Sequence, residues 1–205
     1  MKLLYIQASP RKAKSHCLAI GDALAEAWQR YNPEATITRR NVFETAMPEA
    51  DYDAVEARYL TLSGQPVPEG TEESWRQAEA EALNFASHDR YIIATPMWNY
   101  HLPYKLKHYL DLIFQPGITV RASASYDQAV KSKRVCFVLS RGGMYSPGSP
   151  LDFQRPYLAH LFDRLGFTSA NLHWLIIEPT ADTPQNIKDL HTIKIAEALT
   201  LAKEF

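Results

Sequence analysis

Short apolar runs alternate along the chain with longer stretches in which apolar residues recur at helical spacing. Short runs rich in apolar and β-branched residues are typical of strands buried in a parallel sheet. One run, residues 35–40, alternates Ile37 with threonines and predicts a strand nearer an edge. The predicted strands span residues 3–6, 35–40, 91–94, 135–139 and 171–177.

Helices are predicted between and after these strands. Three helices are predicted to begin near Ser15, Thr71 and Pro103, and a fourth is predicted to span residues 151–165. A last helix begins at Thr183-Pro184, where Thr183 is the cap. Residues 51–62 are compatible with one more helix. The apolar residues predicted to face inward are Cys17, Leu18, Gly21, Leu24, Ala25 and Trp28 in the first helix, and Trp75, Ala78, Ala82, Leu83 and Phe85 in the helix before the third strand. The last helix runs through Ile187, Leu190, Ile193 and Ala196. This alternation predicts an α/β fold, a doubly wound parallel five-stranded sheet with helices on both faces, in a single domain over residues 1–205.

Composition narrows the class of partner. A net charge of -1 gives no reason to expect nucleic acid. The apolar run at the N-terminus is too short for a signal peptide or a membrane span. Cys17 and Cys136 lie in different contexts, so a disulfide is not expected and a reducing compartment is favoured. We therefore expect a cytoplasmic protein whose partners are small molecules or a second copy of the chain.

Ligands of doubly wound sheets lie over the carboxyl ends of the strands, where three candidate loops fall. The first, residues 9–17, supplies Ser9, Ser15 and main-chain amides at a helix N-terminus, which can enclose a phosphate. The alternative for Ser15 is a simple N-cap. Neither Gly-x-Gly-x-x-Gly nor the Walker pattern is present, so a terminal monophosphate suits this loop better than a pyrophosphate.

The other two loops suit a flat ring. Residues 96–101 place Met97, Trp98, Asn99 and Tyr100 at a strand end, although the aromatics could instead cap the core. Residues 140–145 carry Gly142 and Gly143, which allow close approach of a ligand but would also suit a tight turn. Four residues of the loop before the fourth strand are expected at the pocket rim: Arg121, Ser123, Ser125 and Tyr126.

Other chemistries are disfavoured. A phosphatase built on Cys17 would need an arginine shortly after it, and none follows. His101, His108 and Asp111 could be proposed as metal ligands, but no further ligand cluster accompanies them, so no metal is expected. No Gly-x-Ser-x-Gly elbow of a serine hydrolase occurs.

A monophosphate site, an aromatic loop and a glycine loop together describe a site for flavin mononucleotide. The three segments Ser9-Pro10-Arg11 with Ser15-His16-Cys17, Pro96 to Tyr100, and Ser140 to Tyr145 resemble the flavin-contacting loops of the FMN-dependent NADH:azoreductases and NAD(P)H quinone oxidoreductases. The likeness extends to residues 105–112, 116–119 and 156–158, and so covers most of the chain.

The resemblance implies a flavodoxin-like homodimer with FMN at each of two interfacial sites. It implies a ping-pong, two-electron hydride transfer from NADH or NADPH to quinones and aromatic azo compounds. A flavodoxin-type electron carrier without turnover of its own is the alternative, although the near-neutral chain does not suggest the acidic docking face of such carriers. The implied cofactor-binding residues are Ser9, Ser15, His16, Cys17, Met97, Trp98, Asn99, Tyr100, Ser140, Arg141, Gly142 and Gly143.

Three departures from the family pattern bear on affinity and specificity. Cys17 stands where a serine is usual, Trp98 replaces a common tyrosine, and the loop 121–129 is shorter. Because hydride transfer is the chemistry of the cofactor, no side chain is predicted to be an indispensable catalyst. Backbone amides of residues 98–100 and of Gly142 and Gly143 would stabilise negative charge on the ring. The competing hypothesis makes His101 or Tyr145 an essential proton donor.

Overall fold

Five parallel strands form the central sheet of the computed structural model, which describes residues 1–49, 51–69, 72–120 and 130–205. The strands lie in the order β2-β1-β3-β4-β5, and every neighbouring pair is parallel. This is the order of flavodoxin-like sheets, so the predicted fold class is confirmed. The strands are β1 (Lys2–Gln7), β2 (Thr36–Asn41), β3 (Arg90–Pro96), β4 (Arg134–Ser140) and β5 (Leu172–Ile177).

Helices cover both faces of the sheet. Within the described residues they are α1 (His16–Tyr31), α2 (Tyr52–Leu62), α3 (Glu72–Ala86), α4 (Tyr104–Ile113), α5 (Gln154–Arg164) and α6 (Pro184–Leu201), with short 3-10 turns at Lys12–Lys14 and Ser169–Asn171. None of the helices within these ranges has the length and apolar character needed to cross a membrane.

Successive strand residues point to opposite faces, and each face has its own core. In β1, Leu4 and Ile6 pack with α3, α4 and α5, whereas Leu3 and Tyr5 pack with α1 and α6. Helix α2 lies further out, where Ala57 packs against residues of α3 and α4. The inner strands β1, β3 and β4 are therefore buried on both faces, which explains their nearly continuous apolar sequence, whereas the edge strand β2 is more exposed and more polar.

Capping residues set the starts of α1 and α6 as predicted. The Ser15 hydroxyl accepts a hydrogen bond from the Leu18 amide at 3.4 Å, and Thr183 caps α6 with Pro184 as its first residue. Gly166 follows α5 at φ +93°, a conformation that favours glycine. The inward face predicted for α1 is buried as expected.

Four details differ from the predictions. Helix α5 begins at Gln154 instead of Leu151, because the Asp152 carboxylate accepts the amides of Gln154 and Arg155 at 3.0 Å each and so caps the helix there. Pro103 precedes α4 as its N-cap and is not in its first turn. Leu83 is 55% exposed because it lies one residue beyond the buried stripe through Ala78 and Ala82.

The fourth difference concerns α6. Leu190 and Leu201 pack against the core and Ala198 is buried, whereas Ile193 and Ala196 lie off that stripe and are exposed. The predicted rim residues Arg121, Ser123, Ser125 and Tyr126, and the helix-starting Thr71, lie outside the described residues.

Candidate functional site

The loop after β1 leads into the start of α1, where main-chain amides and hydroxyls gather. Ser9 is almost fully buried, and its hydroxyl accepts a hydrogen bond from the Arg11 amide at 3.4 Å. Because α1 begins at His16, the amides of His16 and Cys17 have no carbonyl one turn earlier to bind. These amides and the positive end of the helix dipole suit a phosphate. Ser15 is the N-cap, and its hydroxyl can donate either to the nearby Cys17 Sγ or to a phosphate oxygen.

Cys17 connects this loop with the end of β4. Its thiol is fully buried, and its Sγ lies 3.2 Å from the Ser15 Oγ. Burial raises the pKa of the Cys17 thiol, and hydrogen bonds with the side chains of Ser15 and Ser140 offset only part of that effect. The group is thus a neutral thiol near pH 7, which argues further against a nucleophilic cysteine.

His16 has a partner that the sequence did not indicate. Its Nδ1 lies 2.9 Å from Nε2 of His191 on α6, and the two rings meet edge to face. The pKa of His16 is lowered by burial, by His191 and by Arg11. His16 is therefore neutral near pH 7, and the pair forms a hydrogen-bonded contact between the first and last helices.

A two-residue turn presents the aromatic residues after β3. The amide of Trp98 donates to the His101 carbonyl at 3.0 Å, and the His101 amide donates back at 2.9 Å. Asn99 and Tyr100 occupy the centre of the turn with φ of +48° and +65°, which is uncommon for residues other than glycine. The rings of Trp98 and Tyr100 are 36% and 50% exposed, so they do not serve as buried caps of the core.

This turn corrects one detail of the predicted anion stabilisation. The Trp98 amide is used within the turn, and the Met97 amide donates to the Ser140 carbonyl at 2.8 Å. In the described part of the chain, the amides of Asn99 and Tyr100 make no main-chain hydrogen bond. The donors that residues 98–100 can offer a ligand are therefore these last two.

Phe43 is a further aromatic residue that the predictions missed. It follows β2 at the same edge of the sheet, and its ring centroid lies 5.8 Å from that of Trp98 and 6.1 Å from that of Tyr104. Its position just after a strand end was a usable signal, since loops at that edge line ligand sites. Phe43, Trp98 and Tyr104 form an aromatic wall beside the turn.

The buried side chain of Arg141 packs beneath the glycine loop that follows β4. This side chain is only 1% exposed, and its Nη2 lies 3.0 Å from Asp152 Oδ2 while its Nη1 lies 3.4 Å from Glu178 Oε2. The guanidinium therefore faces inward, where its ion pairs hold the glycine loop in place. Asp152 and Glu178 were not among the predicted residues.

Gly142 and Gly143 are exposed on that loop. Neither has a positive φ, and the nearest atoms to an added Cβ lie at 4.0 Å and 3.8 Å. A residue with a Cβ would therefore meet neither backbone strain nor a clash with neighbouring atoms at these two positions. Close approach of a ligand to the backbone remains as the reason for these two residues.

The predicted residues lie together at the carboxyl edge of three adjacent strands. Ala8 donates to the Ala94 carbonyl at 2.9 Å, which joins the first loop to the second, and Met97 joins the second to the third. By contrast, His108 bonds the Pro48 carbonyl and Asp111 pairs with Lys107. In residues 1–49, 51–69, 72–120 and 130–205, no three His, Cys, Asp or Glu side chains are grouped as metal ligands.

The strand order β2-β1-β3-β4-β5 defines a flavodoxin-like fold. A family described as having a flavodoxin-like fold matches residues 1–197. The FMN-dependent NADH:quinone oxidoreductase of Nitratidesulfovibrio vulgaris strain DP4 is 36% identical over 212 residues, with 99% of each chain covered. That of Desulfotalea psychrophila strain LSv54 is also 36% identical, over 99% of this chain and 97% of its own. The chain belongs to the FMN-dependent NADH:quinone oxidoreductase family.

Solved structures agree on the fold. The crystal structure of azoreductase from Bacillus anthracis strain Sterne superposes with a TM-score of 0.87 over the whole of both chains, at 21% sequence identity. The FMN-dependent NADH-azoreductase of Bacillus anthracis strain Ames Ancestor, solved in complex with FMN, gives a TM-score of 0.83 at 20% identity over 98% of this chain and 99% of its own.

Proposed function

We propose that the protein is an FMN-dependent NAD(P)H oxidoreductase that reduces quinones and aromatic azo compounds by ping-pong, two-electron hydride transfer. The observation that carries this proposal is the junction of three loops at one sheet edge. There a helix start with free amides lies beside an exposed aromatic turn and an open glycine loop. A phosphate and a flat ring joined by a short linker match this arrangement. The names of the curated relatives support the same activity.

Different residues would hold the phosphate and the flavin ring of FMN. The hydroxyls of Ser9 and Ser15, with the amides of His16 and Cys17, would hold the phosphate. The ring would lie against residues 97–100 and 140–143, where Asn99, Tyr100 and the two glycines offer backbone amides. The helix start offers the phosphate hydrogen-bond donors and the positive end of its dipole, and Asn99, Tyr100, Gly142 and Gly143 are exposed where the ring would lie.

When bound, FMN supplies the hydride chemistry. The chain contributes by holding the ring, stacking the second substrate and directing fixed amide dipoles toward developing negative charge. The aromatic wall of Phe43, Trp98 and Tyr104 is suited to a flat acceptor. Burial and Lys107 lower the pKa of His101, so this side chain is neutral near pH 7 and is a poor general acid there.

Reconstitution with FMN tests the proposal. The purified protein should retain a flavin spectrum through gel filtration, and it should oxidise NADH or NADPH when a quinone or an azo dye is supplied. Retention of FMN without turnover by either donor would favour the electron carrier instead. Failure to retain FMN would exclude both functions.

We extend the proposal to assembly and compartment. A homodimer would cover apolar area around the site that is exposed in one chain, including Tyr100, Tyr104 and Phe153. A cytoplasmic location agrees with the free, buried state of Cys17 and Cys136. A single domain over residues 1–205 agrees with the one sheet to which strands from Lys2 to Ile177 contribute.

A further inference from the structure

The start of α5 contacts the aromatic turn and the last residue of β3, which precedes the turn. The Phe153 amide donates to the Tyr100 carbonyl at 3.2 Å. The side-chain amide of Gln154 donates through Nε2 to the Pro96 carbonyl at 3.0 Å. The turn contains Asn99 and Tyr100 with positive φ, a conformation that persists only where surrounding contacts hold it. Residues 153 and 154 supply two such contacts.

The same glutamine also contacts the support of the glycine loop. Its Oε1 accepts a hydrogen bond from Arg141 Nε at 3.1 Å, and both side chains are buried, at 0% and 1% exposure. Gln154 thus uses its donor on the loop after β3 and its acceptor on the loop after β4. It is a buried side chain that bridges the two loops expected to enclose the ring.

Only a glutamine-like group can make both contacts at this position. A glutamate could accept from Arg141 but could not donate to the Pro96 carbonyl when ionised, and a methionine of similar length could do neither. Without the Gln154 amide, the Pro96 carbonyl retains the Thr95 hydroxyl at 3.2 Å but loses its shorter hydrogen bond. Arg141 keeps its two carboxylate partners, but its Nε loses its acceptor. A buried donor that loses its acceptor is costly, so the backbone would move to restore the contact. Such a movement would change the spacing between the two loops.

We propose that Gln154 is a positioning residue that sets the spacing and angle of the aromatic turn and the glycine loop, and so fixes the flavin ring for hydride transfer. This inference rests on the proposed function. It assigns to Gln154 an effect on the ring and none on the phosphate, because the bonds of its side chain lead only to the second and third loops.

The test compares Gln154→Glu and Gln154→Met with Gln65→Glu, which makes the same change of charge in an exposed loop. Dissociation constants are measured for FMN and for riboflavin, which has the same ring without the phosphate. Each Gln154 variant should bind both flavins about 10-fold more weakly or worse, by the same factor for the two. Ser15→Ala, in the phosphate loop, should weaken FMN and leave riboflavin unchanged. Turnover at saturating FMN should fall in the Gln154 variants and not in Gln65→Glu.

The outcomes separate this inference from the proposed function. If the wild-type protein binds FMN and turns over, and a folded Gln154 variant matches Gln65→Glu within twofold in both flavin affinities and in turnover, the positioning role is wrong. If the wild-type protein does not bind FMN, the proposed function fails, and hydrogen exchange of the residue 97–101 amides then tests the bridge alone. Faster exchange in Gln154→Glu would support the bridge, and unchanged exchange would refute it. Should Gln154→Met not fold, Gln154→Glu carries the same tests.

Discussion

Cys17 sits between Ser15 and Ser140 at the point where the first and third loops meet. A thiol is a weak hydrogen-bond donor, and burial keeps this one protonated. The phosphate would therefore depend on the Cys17 amide, with little help from its side chain. The helix start keeps its anion-binding geometry because that geometry comes from backbone groups.

Replacing this thiol by a hydroxyl should strengthen FMN binding. A serine is a better donor of nearly the same size, so Cys17→Ser should lower the dissociation constant of FMN by about 3- to 10-fold, the worth of one ordinary hydrogen bond. Riboflavin provides the control, because it lacks the phosphate and should bind with unchanged affinity. Fluorescence titration measures both; an equal gain for the two flavins would place the effect of Cys17 outside the phosphate site.

Single side chains near the ring should not be essential for chemistry. His101 is neutral near pH 7, and its ring packs at 4.8 Å from that of Tyr157, which gives it a packing role. His101→Ala and Tyr145→Phe should each slow acceptor reduction by less than about 10-fold, whereas loss of a true general acid costs about 100-fold or more. Stopped-flow measurement separates flavin reduction by the nicotinamide from acceptor reduction. A selective loss of the second step in either variant would identify a proton donor.

Helices α1 and α6 are joined near the phosphate loop by His16 and His191. The groups that lower the pKa of His16 from its ordinary value of 6.5, besides burial, are His191 and Arg11. When a histidine has a lower pKa in the folded state, the unfolded chain takes up a proton first as the pH falls. Stability from this contact is therefore complete above pH 6.5 and declines below it, until the folded-state pKa is reached.

His16→Gln should reduce the loss of stability in mild acid. The free energy of unfolding, measured by urea denaturation without flavin, should fall less between about pH 7.5 and about pH 5.5 in this variant than in the wild-type protein. The comparison of the two proteins isolates the effect of His16, because burial also lowers the pKa of His88 and His173, and both add to the pH dependence of stability. An identical decline in both proteins would show that His16 is not linked to stability.

Sequence patterns predicted the strands, the caps at Ser15 and Thr183 and the three loops, because each depends on residues close together in the chain. The bridging contacts escaped prediction for the opposite reason. Gln154 and the Pro96 carbonyl are 58 residues apart, and His16 and His191 are 175 apart, so no periodicity connects them. Arg141 shows the same limit: its place in the loop was predictable, but its inward direction depends on Asp152 and Glu178, which only the folded chain brings near.

At the scale of the whole molecule, exposed aromatic residues lie at the carboxyl ends and at the amino ends of the strands. Only those at the carboxyl ends lie beside the candidate site. Phe153 is 56% exposed beside the aromatic turn. Tyr31 is 55% exposed at the far end of α1, at the amino edge of the strands. If a second copy completes the site, the interface should include the first residue and exclude the second.

Phe153→Lys should therefore break the proposed homodimer, and Tyr31→Lys should leave it intact. A lysine in an apolar interface places an unpaired charge where water is excluded, which costs more than the lost contact alone. Light scattering should give twice the 23.3 kDa chain mass for the wild-type protein and for Tyr31→Lys, but values approaching the single-chain mass for Phe153→Lys. Flavin retention and turnover should fall together with the dimer, because each site would draw residues from both copies. A wild-type mass of 23.3 kDa with full activity would instead mean that one chain forms the complete site.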